Sequence, residues 1–181
     1  LYEKLRVMRN LGLRTRDECV AWSTNTRLDT LQAAMLLVKM EYLEEWTEQR
    51  RANAKIYQRL LDGIPGVEAP KDKEYERAVY HTFVIQAQRR DQLKSYLAER
   101  GIGTSIHYPI PIHLQEAALG LGHEPGSFPV TEDQADSILS LPVYPELGNS
   151  EIEFVAGCIR TFYEEKRGDE GPVFLSTKTV L

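Results

Sequence analysis

From Asp29 to Leu61 neither glycine nor proline interrupts the chain. Both residues weaken or stop helices, so their absence permits a helix of about 33 residues, about 50 Å long. Leu31, Ala34, Leu37 or Val38, Tyr42, Trp46, Ile56 and Leu60 recur at close to 3.6 residues. Asp29, three residues before Gln32, makes a weak capping box at the start. The first part, LQAAMLLVKM, is apolar nearly all round, whereas EEWTEQRRANAKIYQRL is amphipathic and charged. The pattern predicts one long helix over 29–62. It leaves a packed interface and continues along a domain surface, with Arg50 and Arg51 on its solvated face.

The other elements are shorter. Residues 1–11 read as a helix through Leu5, Met8 and Leu11, stopped by Gly12. Residues 12–28 read as irregular. Gly63, Pro65, Gly66 and Pro70 mark a break after the long helix. Residues 79–85 carry the β-branched and aromatic content of a strand, and His81 reads as a partly buried residue at its start. QLKSYLAERG reads as a helix stopped by Gly101, and residues 103–108 as a second strand ended by Pro109 and Pro111. Short helices are expected over 113–119 and from Thr131 through Leu139, and a last one starts at Asn149 or Ser150. This order predicts an α/β (α+β) fold: a long N-terminal helix, a β-α-β unit, and a small sheet with helices packed on one side. The expected divisions are 1–28, 29–62, 63–166 and a tail, 167–181, that fits neither period.

Composition excludes several classes. The net charge is −5 over 181 residues, so no chain-wide basic field marks a nucleic-acid binder. No apolar run approaches the roughly 20 residues that cross a bilayer, so no membrane partner is expected. Cys19 and Cys158 lie far apart, which excludes a disulfide scaffold and a cysteine-rich zinc site. A reducing, cytoplasmic setting is the default. The opening LYEKLRVMRNLGLR is not a signal peptide, and Leu1 in place of Met suggests a piece of a longer protein.

The residues alone show little chemistry. His107 and His113 are six apart across two prolines, a spacing that matches no zinc pattern, so no metal is expected. There is no nucleophile elbow, P-loop or dinucleotide fingerprint.

Several longer segments carry a resemblance. NTRLDTLQAA (25–34) resembles the NxRLDxLQAA segment of the DegT–DnrJ–StrS nucleotide-sugar aminotransferases. Trp46, Arg50, Arg51 and Tyr57 resemble the WxxxRRxxAxxY continuation. GIGTSIHYPIPIHLQ (101–115) resembles GIGTxIHYPxPxHLQ, and FPVTE (128–132) and LSLPVYP (139–145) follow in order. The likeness spans about residues 4–163.

The resemblance implies the C-terminal domain of a fold-type I aminotransferase that depends on pyridoxal 5'-phosphate. The large N-terminal domain of such enzymes carries the lysine that holds the cofactor, so no catalytic residue is expected here. Lys178 lies outside the family's lysine segment and reads as a tail residue. Asn25 matches the position whose amide donates to the cofactor phosphate, from a loop that crosses a homodimer. Arg27 matches a position near the nucleotide sugar, and His107 and Tyr108 match positions lining the sugar site. Other roles stay open: Asn25 as a turn or helix cap, Arg27 paired with Asp29 or Glu18, His107 as a satisfied strand end, and Tyr108 in the core. Ser23 stands where the family often has glycine, so the loop is expected to follow a somewhat different path.

The implied reaction moves an amino group, usually from glutamate as amino-acid donor, to a ketone of a nucleotide-linked sugar. The IHYPxPxHLQ form looks closer to enzymes acting at sugar carbon 3 than at carbon 4. The alternative is a non-catalytic dimerisation or regulatory module of the same fold, using LQAAMLLVKM as its contact surface.

Overall fold

The structure, a computed structural model, describes residues 1–165. The expected tail over 167–181, with Lys178, lies outside the described residues. The chain divides after Glu44 into two compact units.

The first unit holds α1 (Tyr2–Met8), a loop and α2 (Thr30–Met40). The loop returns on itself: the Leu11 N–H donates to the Thr24 carbonyl (3.3 Å) and the Thr26 N–H to the Arg9 carbonyl (2.9 Å). Gly12 makes that return possible. Its φ is +76°, and a Cβ there would lie 1.7 Å from the Ala21 carbonyl oxygen. The capping box at Asp29 and Gln32 is present, with the Asp29 N–H donating to Gln32 Oε1 (3.2 Å). None of the eleven residues of α2 is buried.

The single helix expected over 29–62 is two: α2 and α3 (Leu43–Leu61), with a turn at Glu41–Tyr42. The turn needs no glycine or proline. The Glu41 and Tyr42 N–H groups bond three residues back, to Val38 (3.2 Å) and Lys39 (3.1 Å), so the backbone tightens there. The turn falls where the sequence changes from apolar all round to amphipathic.

The second unit is built on a three-stranded antiparallel sheet, ordered β1 (Val67–Glu68), β2 (Phe83–Ala87), β3 (Ile138–Leu141). Helices α4 (Arg90–Ala98), α5 (Pro129–Ser137) and α6 (Asn149–Glu165) complete it. Strand β2 alternates as its period demands: Phe83, Ile85 and Ala87 are buried, and Gln86 is exposed. The buried face meets Tyr57 and Leu61 of α3, Leu93 and Leu97 of α4, and Ile152, Ile159 and Phe162 of α6 in one apolar core. Tyr57 and Phe83 stack with ring centroids 5.0 Å apart. The Tyr57 hydroxyl is buried without a hydrogen-bond partner among the described residues, and burial pushes its pKa up, so the ring stays neutral.

Several expectations are corrected. Both ladders of the sheet are antiparallel, and the segment that follows α4 joins it through a single bridge to β3 instead of as a full second strand. The strand expected over 79–85 is β2 and starts at Phe83 rather than Val79, because the carbonyls just before it go to a side chain instead of a ladder. Arg50 Nη1 lies 3.3 Å from the Tyr80 carbonyl oxygen, 3.4 Å from that of His81 and 2.9 Å from that of Val143. Arg51 Nη1 donates to the Ala78 carbonyl (2.6 Å). These two arginines tie α3 to the sheet's approaches and are not a solvated face. His81 is exposed and outside β2.

The expected strand over 103–108 is reduced to one isolated bridge, Ser105 with Ser140. The expected helix through Leu139 stops at Ser137. There the buried Arg90 donates to the Ala135 and Ile138 carbonyls, both at 3.1 Å, and Leu139 pairs with Ile85 instead.

Phe83 is fully buried at the centre of this core. Phe83→Ala is expected to cost about 3–5 kcal/mol of stability by cavity formation, read as a lower denaturant midpoint with an unchanged slope.

Candidate functional site

Asn25 and Arg27 belong to the first unit. Asn25 pairs as an isolated bridge with Asn10. Its Oδ1 accepts the Arg27 backbone N–H (3.3 Å), which is the turn role expected of asparagine. Only an oxygen can accept that proton, so the amide NH2 is the end left over. It makes no hydrogen bond among the described residues. The Arg27 guanidinium donates to Asn10 Oδ1 (2.9 Å). It pairs with neither Asp29, which caps α2, nor Glu18, which pairs with Arg14 (3.2 Å). The Ser23 hydroxyl donates to the Met8 carbonyl and so holds the loop to the end of α1, a bond that glycine at this position would lack.

His107 and Tyr108 belong to the second unit, on the segment after the Ser105 bridge. The peptide bond between them is cis. His107 is exposed, and its Nδ1 lies 2.8 Å from Ser140 Oγ. Tyr108 is 74% exposed, so the core reading of that ring fails. The two rings meet edge to face, 86° apart with centroids separated by 5.6 Å. They form an open corner with two aromatic walls. Pro109 lacks an N–H donor, so pairing stops before this corner, and both rings stay on the surface.

A second histidine braces the same segment. His113 is buried, with Nε2 at 2.9 Å from Glu132 Oε1 and its ring 4.8 Å from that of Phe128. Glu132 sits in the first turn of α5. It also accepts the Gly126 N–H (2.8 Å to Oε2) and the Phe128 N–H (3.2 Å). These N–H bonds, Gly126 first, hold the Glu132 carboxyl below the usual carboxylate range, with His113 adding to them. The loop of 124–128 is thereby fastened to the residue that the FPVTE motif carries.

Sequence reasoning missed two partners. Asn10, which holds Arg27, carried no signal. Ser140, which holds His107, did: it is the one polar residue in the strand Ile138-Leu139-Ser140-Leu141. Among the described residues no group of three or more His, Cys, Asp or Glu is placed to hold a metal ion. No helix among them is long and apolar enough to cross a membrane.

Known proteins resemble this chain over most of its length. Residues 1–160 match the DegT/DnrJ/EryC1/StrS aminotransferase family. The erythromycin biosynthesis sensory transduction protein EryC1 of Saccharopolyspora erythraea is 39% identical over 160 residues, which is 88% of this chain and 44% of that protein. The dTDP-3-amino-3,4,6-trideoxy-alpha-D-glucose transaminase of Streptomyces venezuelae is 38% identical over 164 residues, 91% of this chain and 43% of that protein. The crystal structure of DesV from S. venezuelae superposes with a TM-score of 0.81 at 38% identity, covering 90% of this chain and 44% of that one. The chain thus spans less than half the length of the curated relatives it matches.

Glu132 fixes the sign of one pH effect. A carboxylate whose folded-state pKa is lowered stabilises the fold fully above its unfolded value, near 4.5, and loses that contribution as pH falls through the folded value. Glu132→Gln is therefore expected to flatten the acid limb of stability below about pH 5, measured by thermal melts from pH 3 to 7.

Proposed function

The chain belongs to the DegT/DnrJ/EryC1/StrS aminotransferase family, and we propose that it is the C-terminal part of a nucleotide-sugar aminotransferase. The reaction is transfer of an amino group from an amino-acid donor, glutamate, to a keto group of a nucleotide-linked sugar. The observation that carries this reading is the family match over residues 1–160, which takes in Asn25, Arg27, His107 and Tyr108 together. Pyridoxal 5'-phosphate, when bound, supplies the electron sink that amino transfer needs.

The geometry of the first unit supports the cofactor role of Asn25. The turn uses Oδ1 and leaves the NH2 group as a neutral donor, which is what a phosphate oxygen accepts. One side chain thus shapes the loop with one end and meets the phosphate with the other. Arg27 is held at one terminal nitrogen by Asn10, which aims the rest of its planar fork at the anionic part of a nucleotide sugar. In the second unit, His107 and Tyr108 offer a ring corner on which a hexose face stacks while the ring tips bond its hydroxyls. The chain binds and orients. The residue that moves the proton belongs to the part of the enzyme beyond these positions.

The S. venezuelae relative is a transaminase of a 3-amino sugar, which supports action at sugar carbon 3. The domain reading keeps the bounds 1–28, 29–62, 63–166 and 167–181, and makes 1–28 the end of the large domain. The assembly is a homodimer in which the Asn25 loop reaches the partner's cofactor, and the setting is cytoplasmic.

The test is turnover by the full-length protein. A dTDP-linked 3-keto hexose with glutamate is expected to yield 2-oxoglutarate, and this chain by itself is expected to yield none. Asn25→Ala should weaken cofactor binding roughly tenfold or more, the scale of a hydrogen bond to a charged group, read by the loss of visible absorbance on dialysis. Full-length protein that binds no cofactor would overturn the reading in favour of a dimerisation or regulatory module.

A further inference from the structure

Ser140 lies on β3 between two core leucines, and it points the other way. Leu139 and Leu141 are buried in the core against β2, so the strand's alternation sends the Ser140 side chain to the opposite face. There it is only 5% exposed. Both of its backbone groups are committed. Its N–H donates to the Ser105 carbonyl (2.7 Å), and its carbonyl accepts the Ser105 N–H (3.2 Å). The Cα position is thus fixed from both sides, and the hydroxyl is the one polar group left to place. It meets His107 Nδ1 at 2.8 Å.

This bond has a directional consequence. A serine hydroxyl donates or accepts, so it satisfies Nδ1 in either tautomer. Nε2 is then the remaining polar end of the ring, and it makes no hydrogen bond among the described residues. Rotation of the ring about its own axis would break the Ser140 bond. The ring plane is also set against Tyr108 at 86°. An exposed imidazole is ordinarily free to sample several rotamers. This one is anchored at one nitrogen to a buried strand.

We propose that Ser140 is a positioning residue that orients His107, so that Nε2 and the ring face, with Tyr108, meet the hydroxyls of a nucleotide-linked hexose. This rests on the reading of His107 as a sugar contact, and it adds the element that makes the contact specific. A ring fixed in advance loses less conformational freedom on binding than one that must be frozen. The ligand chemistry follows from the corner itself: an uncharged, hydroxyl-bearing ring with an apolar face.

The test uses the full-length protein with dTDP-glucose as the probe, and three variants: Ser140→Ala, Ser140→Thr and His107→Ala. Ser140→Ala is expected to weaken dTDP-glucose binding about three- to tenfold, the scale of one net hydrogen bond, with cofactor content unchanged. The ¹⁵N signal of His107 Nδ1 should move as it loses its hydrogen bond to the serine hydroxyl. Ser140→Thr keeps the hydroxyl and should restore both signals. His107→Ala combined with Ser140→Ala should bind no worse than His107→Ala alone. Unchanged His107 ring signals in Ser140→Ala would overturn the proposal, as would additive losses in the double variant. A His107→Ala protein that binds dTDP-glucose as well as the parent would sink the sugar reading instead. In that case the ring signals still report whether Ser140 holds His107.

Discussion

Everything in the second unit depends on the inward face of one short strand. Phe83, Ile85 and Ala87 put three side chains on the same side of β2, and α3, α4 and α6 all contribute to the core that covers them. Burial of this kind is worth about 25 cal/mol per Å² of apolar surface and has no direction, so it does not choose which helix goes where. Direction comes from hydrogen bonds at the rim. Asn53 donates to the Tyr144 and Leu147 carbonyls, Arg160 to the Leu60 carbonyl, and the Tyr163 hydroxyl to the Gln88 carbonyl. Burial pushes the Tyr163 phenol up to about 12, so it remains a donor at neutral pH. Each of these bonds ties a helix side chain to a loop or helix-end carbonyl that no strand uses.

That division between core and rim explains what the sequence discloses. Helices α4 and α6 are legible because their apolar spacing serves one face and glycine or asparagine marks an end. Strand β3 is not, since Thr131 to Leu139 has helical content up to the point where Arg90 takes the Ala135 and Ile138 carbonyls. Arg90 stands 45 positions before Ala135, beyond any local period. The same is true of residues 79–82, whose β-branched content suits a strand until Arg50 claims the carbonyls of Tyr80 and His81. The break at Glu41–Tyr42 has no glycine or proline to announce it.

The site divides in the same manner. The motif segments contain Asn25, Arg27, His107 and Tyr108, because the resemblance is carried by short continuous runs of sequence. They do not disclose the supports. Asn10 holds Arg27 from 17 positions away, and Ser140 holds His107 from 33. His113, weighed with His107 as a metal ligand, proves to be a brace against Glu132 and Phe128. Its ring and the carboxylate satisfy each other, which is the usual condition for keeping such groups inside.

Helix α2 carries a consequence of another kind. Leu31, Met35, Leu36, Leu37, Val38 and Met40 are all exposed, and Trp22 in the same unit is 99% exposed. A helix this apolar gains little from its own unit, and short helices in water are marginal without a packed face. Its free energy of folding is therefore not a constant of the chain. A surface that covers α2 adds its own binding free energy to the helix, in proportion to the logarithm of that surface's concentration. Melting temperatures for this segment then belong to a concentration as much as to a sequence, and values taken at two concentrations of the covering surface are two different quantities.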